Sequence, residues 1–521
     1  MKAFLLLALF FNARGAPPPL ARAAALEDSL SSRGPQALQR AAAGAQSGDL
    51  ATRSQAGVRA LNDGRFDEAA RIYRELLQAL PDEPGLLMNL GMALAMGGHE
   101  TEAIAPLERA IALKPALVPA HLFLGSSYLA LGHAEKAIAP LERVVAARPA
   151  ELEHRRMLAS AYAAVGRHTS AVTQLRRMTE LAPKLPAGWY ALGHAYNAVA
   201  QDAMGTFDEG PDDLPWRQLL VADALLADGR LTDAFAIYRT ALERLPSMVS
   251  IHDSVARIYE QTGHDDWAAR ERAPGVLSAA DCVRRKALCE FRAGRYRPAL
   301  AVALAGTDME SRYWRARAAT ELALAAFRRL DGLADSRERR DVRATRARAE
   351  RRYTDAIAEL KAALVFAPGD PELLDDLGTT YYSAREYEQA VATLSPLVKA
   401  NPDDPRLLVV YGDSLLQLQR VDEALPVLQR ASEREPSDPM PRLALGRVHL
   451  QKGDFAAAIP LIEAQLADDN DGSLHVQLAR AYTGVGQKDK AAALLTRSQE
   501  IQRAAQERGA AAGQRAITPP K

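Results

Sequence analysis

PGLLMNLGMALAMGGHETEAIAPLERAIALKPAL, residues 84–117, is followed by a near copy of itself. Its markers are Leu90-Gly91, Leu94, Gly98, Ala103, Leu107, Ala110 and Pro115. A step of 34 residues gives Leu124-Gly125, Tyr128, Gly132, Ala137, Leu141, Val144 and Pro149. The next step gives Leu158-Ala159, Tyr162, Gly166, Ala171, Leu175, Met178 and Pro183. One step backwards gives Gly57, Gly64, Ala69, Tyr73, Leu76 and Pro81. Apolar residues recur at helical spacing on both sides of the central Gly, so each unit reads as two helices and a turn. The small residue at position eight and the Ala at position twenty are expected to face each other where the helices pack closest, since a larger side chain would overpack the contact. Gly at position fifteen suits a turn with positive φ. Pro at position thirty-two ends the second helix. One such unit cannot bury its apolar face alone, so neighbours must stack.

This 34-residue pattern resembles the tetratricopeptide repeat. The resemblance implies an all-α solenoid of antiparallel helix pairs wound into a right-handed superhelix. The 521-residue chain is then one extended solenoid or two in tandem, rather than several globular domains. Lys and Arg (65) balance Asp and Glu (65), so net charge gives no general pull towards nucleic acid or anionic membrane. No internal apolar run reaches the roughly 20 residues of a membrane-spanning helix.

Residues 1–23 read as an export signal: Lys2, then the apolar run AFLLLALFF over residues 3–11, then small residues. Cleavage is expected before Ala16 or before Ala24. The alternatives are an uncleaved anchor or a cytosolic protein with an apolar start. Residues 24–49 form an Ala/Ser/Gly-rich leader, with a capping helix to cover the first repeat. Residues 50–185 hold four unbroken repeats.

Residues 186–336 are divergent. A fifth repeat opens with Trp189, Leu192-Gly193 and Tyr196, but its second helix does not follow; an acidic, Gly/Pro-rich loop over 205–215 stands there instead. Residues 311–330 read as one long helix. Residues 337–500 resume the period through about five repeats, and 501–521 form a polar cap and a disordered tail.

No His-Glu-x-x-His, phosphate-loop, G-x-S-x-G or paired C-x-x-C pattern is present in the sequence. No enzyme activity, cofactor or metal is expected. Cys282 and Cys289 are the two cysteines. On one straight helix their Cα atoms would lie roughly 10.5 Å apart, beyond the about 4.4–6.8 Å that a disulfide spans. A bond therefore requires Cys282 to precede the helix and fold back; otherwise the pair are buried thiols. Arg337, Arg339, Arg340, Arg343, Arg346, Arg348, Arg351 and Arg352 cluster, with Glu338, Asp341 and Glu350 opposing them locally. This run is either a solvated helix or a docking patch for an acidic partner. Arg343 at a normally apolar register position is expected to weaken or bend the solenoid.

By resemblance, partners bind in the groove lined by the first helices. Its N-terminal stretch would carry Val58, Leu61, Met88, Met92, Met96, Leu122 and Leu129, an apolar and Met-rich surface suited to adaptable binding. The alternative is that these side chains pack under a leading helix. Arg156, Tyr190, His194 and Asn197 follow, and the C-terminal groove would carry Asp375, Tyr382, Asp413, Arg447 and Arg480. Some relatives in the family grip a terminal carboxylate with a Lys/Asn/Arg clamp. Ser54, Met88, Met92 and Leu122 stand at those positions here, which disfavours that mode.

The functional expectation is a periplasmic or secreted scaffold binding a protein or peptide partner, in envelope assembly, secretion, or polysaccharide or pilus export, with peripheral association with membrane machinery and no nucleic acid. The alternative is a cytoplasmic adaptor resembling a co-chaperone.

Overall fold

The computed structural model describes residues 46–207, 214–246, 248–272, 277–513 and 516–520. The signal, most of the leader and most of the loop at 205–215 lie outside them. The described secondary structure is helical throughout, in antiparallel pairs. The pairs that carry the period are Phe66–Ala79 behind Gln46–Asn62, then Pro84–Met96 with Glu100–Leu113, Val118–Ala130 with Ala134–Ala147, and Leu152–Ala164 with His168–Leu181.

The closest approach within a pair is at position eight, but the residue it meets is not the Ala at twenty. A Cβ on Gly125 would lie 2.7 Å from Leu141 Cγ, whereas the nearest atom of Ala137 is its carbonyl oxygen, at 3.5 Å. Gly91 meets Leu107, Gly378 meets Leu394, and Gly412 meets Leu428 in the same way. The large Leu at position twenty-four thus fills the space that the missing side chain leaves.

The turn at position fifteen requires a left-handed backbone. Gly98 adopts it with φ of 84° at no steric cost. In the later repeats Arg351, Arg385 and Gln419 hold the same conformation with φ of 57°, 63° and 60°. Each carries a Cβ that this region disfavours by roughly 1–2 kcal/mol. Replacing Arg385 and Gln419 by Gly should therefore raise the stability of residues 371–434 by about 1 kcal/mol per site, read as a higher urea midpoint with unchanged slope.

The chain divides into two compact units, and neither is contiguous. One takes the chain up to Thr206 and then Arg285–Leu333. Its core is one cluster of buried residues drawn from Ala60–Ala200 and Ala299–Ala326. The fifth first helix, Pro186–Gly205, packs along the long helix Met309–Asp331. A Cβ on Gly193 would lie 2.5 Å from Phe327 Cε1, so Phe327 takes the place that Leu107 and Leu141 hold in earlier repeats. The missing second helix is supplied from far along the chain. Helices Lys286–Arg292 and Tyr296–Ala305 pack on that long helix in turn. Trp314 is 2% exposed, lies 5.0 Å from Phe291 between ring centroids, and donates from Nε1 to Glu310.

The other unit comprises Phe207–Arg284 and Ala334–Lys521. Parts of residues 186–336 thus fall in different units, and Gly193 meets its partner on the 309–331 helix. Within this second unit the regular pairs are Leu214–Ala227 with Leu231–Arg244, Val249–Gln261 with Asp265–Arg272, Arg337–Ala349 with Tyr353–Phe366, Pro371–Ser383 with Tyr387–Ala400, Pro405–Gln417 with Val421–Arg434, Pro439–Lys452 with Phe455–Glu463, and Ser473–Gly484 with Lys488–Gly513. Asp370, Asp404 and Asp438 cap three of the first helices, each followed by Pro at the first helical position. The last helix, Lys488–Gly513, extends into the residues expected as a tail.

Cys282 and Cys289 are disulfide-bonded. Arg285, with φ of −111° and ψ of 51°, breaks the helix between them into Ala279–Arg284 and Lys286–Arg292. That break removes the straight-helix separation and lets the two sulfurs meet.

Candidate functional site

The residues proposed as an N-terminal groove do not form an open wall. Met88, Met92 and Met96 are 6%, 1% and 3% exposed, and Leu61 is also buried. Leu122 and Leu129 are half-buried against the same core. Arg156 is half-buried and held by Glu153 of its own helix, with Nε 2.8 Å from Oε2. Asn197 is half-buried. Tyr190 and His194 lie against the incoming long helix: His194 is 4.3 Å from Tyr190 and 5.3 Å from Phe327 between ring centroids.

Burial pushes the His194 imidazole down to about 4. The unfolded chain therefore binds the proton more readily between pH 6.5 and 4. Stability is full above pH 6.5 and falls as pH drops through that window, by a ceiling of about 3 kcal/mol. His194→Phe should flatten this dependence, measured as the urea midpoint at pH 7 and pH 4.5.

The C-terminal first helices present a different arrangement. Helices Pro371–Ser383, Pro405–Gln417, Pro439–Lys452 and Ser473–Gly484 each touch the next in series. Asp413, Arg447 and Arg480 occupy position nine of three successive repeats, so the solenoid brings them into one line. Asp413 is 4% exposed. Its Oδ2 accepts from the Tyr382 hydroxyl at 2.6 Å, and its Oδ1 accepts from Arg447 at 3.4 Å. Burial, then the hydrogen bond to Asp413, pushes the Tyr382 phenol up, so it stays a donor. Arg447 is one-third exposed and meets Asp413 through one long bond, which leaves guanidinium donors for a ligand. Arg480 is exposed on the following helix. Asp375 is paired with Arg406 of the next repeat; burial pushes its carboxyl up and Arg406 opposes that.

Four of the five residues expected in this groove thus engage side chains of successive repeats, and Arg480 stands open at its end. Arg406 was not singled out, and Arg348, named as part of the Arg-rich run and not as a groove residue, bonds Asp376 at 2.6 Å. The signal that could have found them is an acid and a base spaced about one repeat apart on first helices.

The Arg-rich helix is more fully compensated than its local sequence suggests. Arg337 meets Asp370 at 3.0 Å and Glu372 at 3.2 Å, and Arg340 meets Asp335 and Glu359 at 2.7 and 2.8 Å. Arg346 and Arg352 share Glu350. Acidic residues from neighbouring elements thus pair with Arg337, Arg340 and Arg348 of the run, which leaves a weaker basis for an acidic docking partner. Helix Arg337–Ala349 continues unbroken through Arg343.

Among the described residues no group of three His, Cys, Asp or Glu is placed to hold a metal ion. No described helix is long and apolar enough to cross a membrane.

A tetratricopeptide-repeat profile matches residues 55–117, 124–186 and 376–439, and a second one matches 415–477. Among solved structures, MamA residues 41 to the end from Desulfovibrio magneticus RS-1 is 25% identical, with 31% of this chain and 88% of that one covered at a TM-score of 0.28. MamA of AMB-1 is 25% identical over 32% and 98%, with a TM-score of 0.29. These likenesses are confined to about a third of the chain. No curated protein matches the chain.

Proposed function

Because the chain is a tetratricopeptide-repeat protein, a scaffold for protein–protein interaction, we propose that it acts without catalysis and holds a peptide or protein segment in the C-terminal groove formed by Tyr382, Asp413, Arg447 and Arg480. The observation that carries this reading is the buried Asp413 carboxylate, which fixes Tyr382 and Arg447 from adjacent repeats in one network. Such a network orients the Arg447 guanidinium before a ligand arrives and so lowers the ordering cost of binding. Arg447 and Arg480 together suit a carboxylate or a row of peptide carbonyls.

The protein works in the periplasm or outside the cell, in envelope assembly, secretion, or polysaccharide or pilus export. The charged, apolar and small-residue order of residues 1–23 supports this, as does a disulfide, which persists in oxidising compartments. A cytoplasmic adaptor is the competing reading.

Cross-linking capture with residues 24–521 as bait tests the proposal. An envelope or secreted partner should be retained by the unaltered bait and lost with Arg447→Glu plus Arg480→Glu. Capture of cytosolic chaperones by both baits would favour the adaptor instead. These Arg positions are preferred over Met88 or Met92 as probes, since a Glu at those buried sites would disrupt the core.

A further inference from the structure

Three tyrosines at position eleven of a repeat share one kind of partner in this protein. Tyr128 donates to Glu108, Tyr162 to Glu142 and Tyr482 to Glu463, each acceptor lying 20, 20 or 19 residues earlier on the preceding second helix. In the repeats of Tyr196, Tyr381 and Tyr259 the pattern breaks, with a basic residue at the acceptor position. The residue 20 before Tyr259 is Arg239, which has no acceptor atom. Arg239 turns instead to Glu271 at 3.9 Å, and Glu271 also meets His252 Nδ1 at 2.7 Å. The Tyr259 hydroxyl donates to the backbone carbonyl of Thr518, at 2.6 Å, across 259 residues of sequence.

We infer that this repeat carries a docking site for an extended, proline-containing peptide, and that the chain's own C-terminal segment Ala516–Pro520 occupies it. Three further observations carry the assignment. Tyr259 belongs to an aromatic set: Trp267 meets it edge-on at 5.6 Å, Phe235 lies at 5.7 Å, and His264 stacks on Trp267 at 4.0 Å. The segment itself, AITPP, has two prolines after Thr518, which hold the carbonyl-bearing residue extended and lower the entropy lost on docking. Ile517 and Pro520 are half-buried, whereas Ala516, Thr518 and Pro519 between and beside them are exposed, as expected of a strand of peptide laid along a surface. A hydroxyl donating to the carbonyl before a proline, beside aromatic rings, is the chemistry by which aromatic-lined grooves take proline-rich segments. This site uses other repeats and another register position than the Asp413 groove, and it stands whether or not that groove binds a partner.

Two measurements on the full chain test it. In the first, Ile517→p-benzoylphenylalanine is photolysed and the adducts are mapped. Adducts within residues 249–272 of the same molecule are expected, with a yield about fivefold lower after Tyr259→Phe, the loss of one hydrogen bond. Adducts elsewhere in the chain, or between two molecules, would overturn the assignment. In the second, Tyr259→Phe is compared in the full chain and in the chain ending at Arg515. The docked segment predicts about a fivefold fall in the folding constant in the full chain and none in the shortened one. Equal effects in both would assign the hydroxyl a purely internal role and overturn the proposal.

Discussion

Phe327→Ala is expected to destabilise residues 186–206 as strongly as its own helix, by about 3 kcal/mol for the unit they share. The reason is the Gly193 contact. A first helix with Gly at position eight is competent only when a large side chain fills the gap, and here that side chain comes from Met309–Asp331. Its removal leaves a cavity beside Gly193 and His194 and weakens the closure of the fifth repeat. Hydrogen exchange should show faster exchange over both helices together, because they open as one cooperative element. Phe327→Leu should be milder, since Leu107 and Leu141 serve the same purpose in earlier repeats. Gly193→Ala, harmful alone through overpacking, should be partly rescued by Phe327→Leu. Faster exchange confined to 309–331 would contradict this closure.

Tyr382→Phe is expected to cost about 1.5–3 kcal/mol, although it removes one oxygen atom. Asp413 is buried, and the phenol is its shorter hydrogen bond; the Arg447 bond is longer and its guanidinium partly hydrated. Losing the donor leaves a desolvated carboxylate under-satisfied. The urea midpoint reports the loss. If Arg447 draws closer in compensation, partner capture should fall as well, because the guanidinium then turns inward. Asp413→Asn should restore part of the stability of the Tyr382→Phe variant, since a neutral amide is less costly to bury than an unpaired charge.

The repeats were legible because each marker answers to a contact inside the 34-residue window. Gly91 and Leu107, or Gly98 and its turn, fall close enough in sequence for the period to betray them. Gly193 was legible as a first-helix marker, yet its partner was not, because Phe327 lies far outside that window and its helix carries no repeat signature of its own. The same limit applies to the Arg-rich helix. Its local sequence shows three acids, whereas Asp370, Glu372 and Asp376 reach it from the next repeat. Register arithmetic identified Asp375, Tyr382, Asp413 and Arg447 as facing one way, and their pairing followed from stacking. It also marked Met88, Met92 and Met96 as groove positions, but register gives direction and not exposure, and those side chains are enclosed. The Tyr259–Thr518 contact had no local signal: Arg239 stands where Tyr128 and Tyr162 find Glu, but Tyr196 and Tyr381 have Arg176 and Lys361 at that position as well.

The proposed partner segment lies against the C-terminal first helices. Hydrogen exchange of the protein, free and bound to the captured partner, addresses it most directly. Binding should slow exchange in Pro371–Ser383, Pro405–Gln417, Pro439–Lys452 and Ser473–Gly484, and the effect should vanish with Arg447→Glu plus Arg480→Glu. Protection confined to the paired second helices, or to residues 46–206, would contradict the claim and place the partner elsewhere.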